Sequence, residues 1–238
     1  MLPARAEMGS ASVHTESVHL DGWDVAIDVY EPGTAPARGA AIIAHGFTRD
    51  RSRHRALGED LAAAGIIAVI PNLPHVMDHW GNGTALAELA DKLSSGALGL
   101  PPVERSALVL IGTSAGGLAS VVAAAKLPGL AGWIGLDPVD RTGTGPSAAS
   151  QLTAPAVLLL GGASPCNLFG SGRSIGHALP RLLRSEKLKD ASHCDFEEPT
   201  NRFCEVMCGA SSPRMQSRVR SETVSAAVEM LRGTEAAP

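Results

Sequence analysis

The chain has 238 residues, 45% hydrophobic and 18% charged, with a net charge of −4. That is enough for one domain with a full core, and the balance is that of a soluble globular protein. The acidic balance and the 3% aromatic content argue against a nucleic-acid surface, and no run reaches the roughly 18 apolar residues of a membrane span.

Residues 1–12 read as an N-terminal tail without the apolar centre of a signal peptide, and residues 13–238 as a single domain. Residues 13–20 and 25–30 are strand-like and joined by Asp21-Gly22-Trp23-Asp24, an opening hairpin. Residues 40–44 (AAIIA) form a short buried strand that ends at His45-Gly46-Phe47. Residues 54–64 have helical spacing, with Gly65 as the stop. Residues 66–70 are the next buried strand, and residues 84–93 return to helical spacing. Residues 106–111 (SALVLI) make a strand, followed by Gly112-Thr113-Ser114-Ala115-Gly116 and a small-residue helix over 117–127. Two further apolar runs, 133–136 and 156–160, precede a closing amphipathic helix at 219–231.

Strands alternating with helices predict an α/β fold, a mostly parallel sheet with helices on both faces. Such sheets bind ligands at the carboxyl ends of their strands. Those ends read HGF, PNLPH, GTSAGG, LDPVD and GGASPCN.

A strand, then G-x-S-x-G, then a helix is a nucleophile elbow centred on Ser114. A serine hydroxyl needs a base to take its proton, and that base needs a carboxylate to orient it. Of eight histidines, His193 follows the last apolar strand run and precedes the closing helix, where the chain order Ser…Asp…His places the base. The acid often follows the second strand after the elbow, but that strand ends in Gly161-Gly162-Ala163-Ser164-Pro165-Cys166-Asn167, with no carboxylate. Asp137, at the end of the preceding strand, is the favoured acid, and Asp140 is the alternative. The backbone N–H groups of Phe47 and Ala115 are the expected oxyanion donors. Phe47, Thr48, Thr113, His75 and Trp80 are expected around the substrate. His45 reads as a loop histidine that shapes its turn. Asp78 between His75 and His79 invites a metal reading, but a solvated loop at the rim of the groove is preferred. The run Arg49–Arg55 reads as a solvated face, or as a greeting for an acidic substrate.

Cys166, Cys194, Cys204 and Cys208 all lie in the last third and allow three pairings. They point to disulfides and to a secreted or periplasmic setting, with free thiols as the alternative; the paired C-x-x-C spacing of a structural zinc site is absent. Cys194 adjoins His193, so a disulfide there would stiffen the histidine loop.

HGF, GTSAGG, LDPVD and SHCDF, in this order, resemble the α/β-hydrolase superfamily over roughly residues 25–232. Ile134-Gly135-Leu136-Asp137-Pro138-Val139-Asp140 resembles the chlorophyllase-like branch, and the wider fold is shared with cutinase-like polyester hydrolases and dienelactone hydrolases. The Leu136-Asp137-Pro138 carboxylate one strand after the elbow is also similar to pancreatic-type lipases, which supports Asp137. Thr113 and Ala115 flank the serine where the chlorophyllase elbow carries His and Arg. Residues 138–153 are too short to hold a helical cap, and residues 167–190 supply at most one wall, so an open groove is expected.

These residues predict a serine esterase acting through an acyl-enzyme on a small-molecule or polymeric ester, with no metal and no cofactor, as a monomer or small homo-oligomer. The alternatives are cleavage of lactone, amide or carbon–carbon bonds on the same fold, and a non-enzymatic hydrolase-like binding protein.

Overall fold

The computed structural model describes residues 11–33 and 36–235. Residues 1–10 of the expected tail lie outside the described residues, and Ser12 already belongs to the first strand. In chain order the strands are β1 (Ser12–Leu20), β2 (Trp23–Glu31), β3 (Ala40–Ala44), β4 (Ile67–Pro71), β5 (Leu108–Thr113), β6 (Gly132–Leu136), β7 (Ala156–Leu160) and β8 (Leu182–Lys187). The helices are α1 (Arg55–Ala63), α2 (His79–Ser94), α3 (Ala115–Lys126), α4 (Thr144–Ala149), α5 (Gly172–Ala178), α6 (Arg202–Cys208) and α7 (Pro213–Glu235).

The strands form one sheet in the order β1-β2-β4-β3-β5-β6-β7-β8. The β1–β2 hairpin and the β2–β4 pair are antiparallel, and every other neighbouring pair is parallel. The uninterrupted apolar runs follow from this layout. Ala40, Ile42 and Ala44 face one core with Leu86, Leu89 and Val121 from α2 and α3. Ala41 and Ile43 face the other with Leu57, Leu61 and Ala227 from α1 and α7. A strand buried on both faces has no polar side to alternate with.

Several elements differ from the sequence expectation. Helix α2 starts at His79 rather than Thr84, because the Asp78 carboxylate accepts the Gly81 N–H at 2.9 Å and caps it. Its Gly83 packs against α3, where a Cβ would lie 2.5 Å from Val122 Cγ1, so only glycine allows the close approach. Segment 167–190 holds α5 and strand β8, and its Leu168 supplies part of one wall of a cavity at Ser114. The covering element comes later, as α6. Residues 138–153 hold only the six-residue α4.

Among the described residues, no helix is long and apolar enough to cross a membrane.

Candidate active site

Ser114 sits between β5 and α3 with φ 55° and ψ −121°, a sparsely populated region for a residue with a side chain. Its neighbours permit this. A Cβ on Gly112 would lie 2.3 Å from Gly116 O, and one on Gly116 would lie 2.3 Å from His45 O. The turn is then tied to β6 and beyond, since Ser114 N–H donates to Leu136 O at 3.0 Å and Val139 N–H donates to Ser114 O at 3.1 Å.

Ser114 Oγ lies 2.9 Å from His193 Nε2, and His193 Nδ1 lies 2.6 Å from Asp137 Oδ2. With Nδ1–H donating to the carboxylate, Nε2 is left to accept the serine proton. Asp137 is buried and also adopts a positive φ of 43°, which the following Pro138 does not favour. Its carboxylate takes two more donors, Gly161 N–H at 3.1 Å and Asn167 Nδ2 at 3.0 Å. Asp140, the alternative acid, is engaged elsewhere. Its Oδ1 accepts the Thr142 and Gly143 N–H groups and its Oδ2 accepts the Gly145 N–H, so it closes its own turn into α4.

Asn167 is the residue that sequence reasoning missed. It is wholly buried; besides Asp137, its Nδ2 donates to Gly162 O at 2.7 Å. Its Oδ1 accepts the Ser164 and Gly170 N–H groups. Every polar atom of this amide is used, which fixes its orientation and so the direction of its donor. The signal was present as an amide at the strand end where a carboxylate is common.

His193 opens a short 3-10 turn, His193–Phe196. The Asp195 carboxylate fixes that turn by accepting Ser192 N–H and Ser212 N–H, each at 2.7 Å. Two disulfides follow, Cys194–Cys204 and Cys166–Cys208. The first anchors the residue next to His193 to α6, and the second ties α6 to the loop after β7.

Two cavities meet at Ser114. The smaller, about 170 Å³, is lined by Phe47, Arg49, Thr113, Glu197 and Phe203 beside Ser114 and His193. The larger, about 360 Å³ and mostly apolar, is lined by Phe47, Met77, His79, Leu118, Val139 and Leu168 among others. Among the described residues, the N–H groups of Phe47 and Ala115 donate no hydrogen bond within the protein. A Cβ on Gly46 would come within 3.3 Å of Ser114 Cβ, so the loop after β3 passes close beside the serine.

The other expected substrate contacts divide. Thr48 lies at the cavity with a positive φ of 54°, and Thr113 is buried there with its hydroxyl 3.4 Å from Phe196 O. His75 lines a small adjoining cavity with Phe47, Thr48 and Ala115, its Nε2 2.7 Å from Asp21 Oδ2 and its ring edge-on to Trp23. Trp80 lines none of these cavities, and packs under Lys126 Nζ at 5.6 Å from the ring centre. His79 lines both that small adjoining cavity and the larger one. Burial lowers its pKa, partly opposed by Asp78 and Asp140. Among the described residues, the one close group of metal-ligand types is Cys194, Cys204 and Cys208, all in disulfides.

Within the arginine-rich run, Arg49 does not form a solvated face. Its Nη2 lies 3.1 Å from Glu197 Oε1, with both side chains largely buried. Burial raises the Glu197 pKa, and the Arg49 guanidinium pulls it back. His45 Nε2 accepts the Leu73 N–H at 3.0 Å, so Nδ1 carries the proton and donates to Gly46 O at 2.9 Å. Burial holds its pKa below the usual histidine value, and it shapes the loop as a neutral ring.

No protein-family model matches the sequence, and no curated protein matches it. Among solved structures, the chain is similar to a dienelactone hydrolase from Anabaena variabilis, with a TM-score of 0.72 and 21% identity over 91% of this chain and 96% of that one. It is also similar to brefeldin A esterase, a bacterial homologue of human hormone sensitive lipase, with a TM-score of 0.67 and 14% identity over 98% of this chain and 80% of that one. Sheet order, crossovers and these likenesses agree: the chain has the α/β-hydrolase fold.

Proposed function

We propose that the chain is a serine hydrolase that cleaves carboxylic esters through an acyl-enzyme. The observation that carries this reading is the hydrogen-bonded line from Ser114 Oγ through His193 to the buried Asp137. Ser114 Oγ attacks the ester carbonyl as His193 Nε2 takes its proton. The oxyanion forms opposite the unengaged N–H groups of Phe47 and Ala115, beside the N-terminus of α3. His193 then returns the proton to the leaving alkoxide, and the alcohol departs. Water attacks the acyl-enzyme by the same route, with His193 as the base, and the acid is released. Asp137 orients the ring and stabilises its charged form. The apolar larger cavity suits the hydrocarbon part of the substrate.

The likeness to a dienelactone hydrolase favours a second reading, in which the bond is that of a cyclic ester. The chemistry at Ser114 is then unchanged, and acyl and alcohol parts stay joined after ring opening. A panel of chromogenic esters of increasing chain length and of lactones separates the two. The ester reading expects Ser114→Ala to lose roughly 10⁴-fold or more of kcat/KM with the fold intact. Hydrolysis by Ser114→Ala at the parental rate overturns it. Two disulfides support an oxidising compartment for the native protein.

A further inference from the structure

Helix α6, Arg202–Cys208, has its amphipathic logic inverted. Cys204 and Cys208, four residues apart, turn inward to the disulfides with Cys194 and Cys166. Its apolar residues face water instead: Phe203 is 70% exposed, Val206 81% and Met207 58%. A helix of seven residues is ordinarily held by burying such a face. Here covalent bonds hold it, which leaves the apolar side chains free to point outward in a fixed array.

The same apolar character continues around the cleft. Phe47, Met77 and Phe169 are exposed on the loops after β3, β4 and β7, all at the carboxyl end of the sheet. Phe47 and Phe203 line the smaller cavity, and Phe47 and Met77 the larger. Apolar side chains exposed together at one end of a sheet, beside a cleft, mark a binding surface. Exposed arginines interleave with it. Arg202 precedes Phe203, Arg173 donates to Phe169 O at 3.0 Å, and Arg141 lines the larger cavity. None of the three has a carboxylate partner among the described residues. Of the acids on these segments, Asp78 is exposed and accepts the Gly81 N–H, and Glu205 is half-buried and accepts the Ser211 hydroxyl.

We propose that this rim is a docking surface for an anionic lipid interface, seating the Ser114 cleft against it. Apolar side chains enter the acyl boundary while the arginines meet the headgroup phosphates. A neutral polymer would satisfy the apolar half and leave the cations unmatched. The net charge of −4 makes the attraction local to this rim rather than a property of the whole chain.

The test uses the disulfide-intact Ser114→Ala protein, so that binding is read without turnover and independently of the esterase reading. Sedimentation with phosphatidylcholine vesicles is compared with vesicles that also contain phosphatidylglycerol. Binding about a hundredfold stronger to the anionic vesicles is expected, falling as salt is raised. Val206→Ser/Met207→Ser should weaken binding about tenfold or more, and Arg173→Glu/Arg202→Glu should remove the preference for anionic vesicles. With Ser114 restored, the Val206→Ser/Met207→Ser protein should hydrolyse a water-soluble ester at the parental rate. Absent binding, equal binding to both vesicles, or binding unchanged by both pairs of substitutions overturns the proposal. Loss of ester hydrolysis in the parent would instead overturn the esterase reading and leave the vesicle result standing.

Discussion

The serine and the aspartate are held differently from the histidine. Ser114 and Asp137 stand at the ends of β5 and β6, neighbouring strands in register from Val109↔Gly132 to Thr113↔Leu136. Both take positive φ values, and the sheet beneath them is buried on both faces. His193 comes from a segment whose anchors are mostly polar or covalent: Asp195, the Arg49–Glu197 pair and the Cys194–Cys204 bond. The serine and the aspartate are thus placed by packing, which is short-ranged and stiff. The histidine is placed by discrete ties, each removable alone. The two halves of the site can therefore be broken separately.

The largest effect is expected on the sheet-borne half. Asp137→Asn should lower kcat by roughly 10⁴-fold, because an amide no longer favours the Nδ1–H tautomer of His193. Asp140→Asn should leave kcat within a few-fold and instead cost about 1–2 kcal/mol of stability, since its work is to accept three backbone N–H groups. Steady-state kinetics beside urea unfolding distinguishes the two, and equal kinetic losses would undo the assignment of the acid. Gly116→Ala attacks the same half through the backbone. Its methyl would lie 2.3 Å from His45 O and 2.4 Å from Ala44 O, so a loss of about 3 kcal/mol or more is expected in urea.

The two disulfides sharpen the comparison. Cys166–Cys208 closes a separation of 42 residues and Cys194–Cys204 one of 10. Loop-closure entropy alone makes the longer bridge worth about 4 kcal/mol and the shorter about 3. Position predicts the reverse order for activity, because only Cys194 adjoins His193. Cys194→Ser/Cys204→Ser should therefore lose more kcat than Cys166→Ser/Cys208→Ser while losing less stability. The same order in both measurements would mean that the bridges act on the fold and not on the histidine.

The sheet-borne half was also the legible half. The runs AAIIA and SALVLI, and glycines spaced around a serine, announce buried parallel strands and a tight turn through steric demands that are local in sequence. Asp137 could be favoured over Asp140 by its place at a strand end, but only the structure shows Asp140 closing its own turn. The loop-borne half left fainter traces. Strand β8 (LLRSEK) alternates half-buried and exposed residues at the sheet edge, so it lacks the apolar run that marked its neighbours. Helix α6 carries its apolar residues outward, against the pattern that identifies helices. Asn167 reaches Asp137 across 30 residues, and no spacing rule encodes that contact. Trp80 is expected at the cleft because it follows a strand end; Asp78 starts α2 early, which puts Trp80 on the helix against Lys126, while His75 and His79 line a small cavity with Phe47 and Ala115.

The smallest effect tests whether the loop-borne half yields first as pH falls. His54 is fully buried beneath the histidine loop, in a niche it shares with Asp195, Phe196 and Glu197. Burial, with His45 nearby as a lesser cause, pushes its pKa down to about 3. Its Nε2 has no hydrogen-bond partner among the described residues, so a second proton there would find no acceptor. The unfolded chain binds that proton near the ordinary histidine value, about 6.5, and the folded one does not. Stability is therefore whole above that value and falls as pH drops toward 3, by up to about 1.4 kcal/mol per pH unit. His45, also lowered by burial, adds a slope of the same sign. His54→Gln should flatten the pH dependence of urea unfolding across this window without abolishing it. Because His54 lies under the loop and not under the elbow, amide protection in residues 190–201 should fall before protection in β5 and β6. Simultaneous loss in both would show that the histidine loop is no weaker than the sheet it faces.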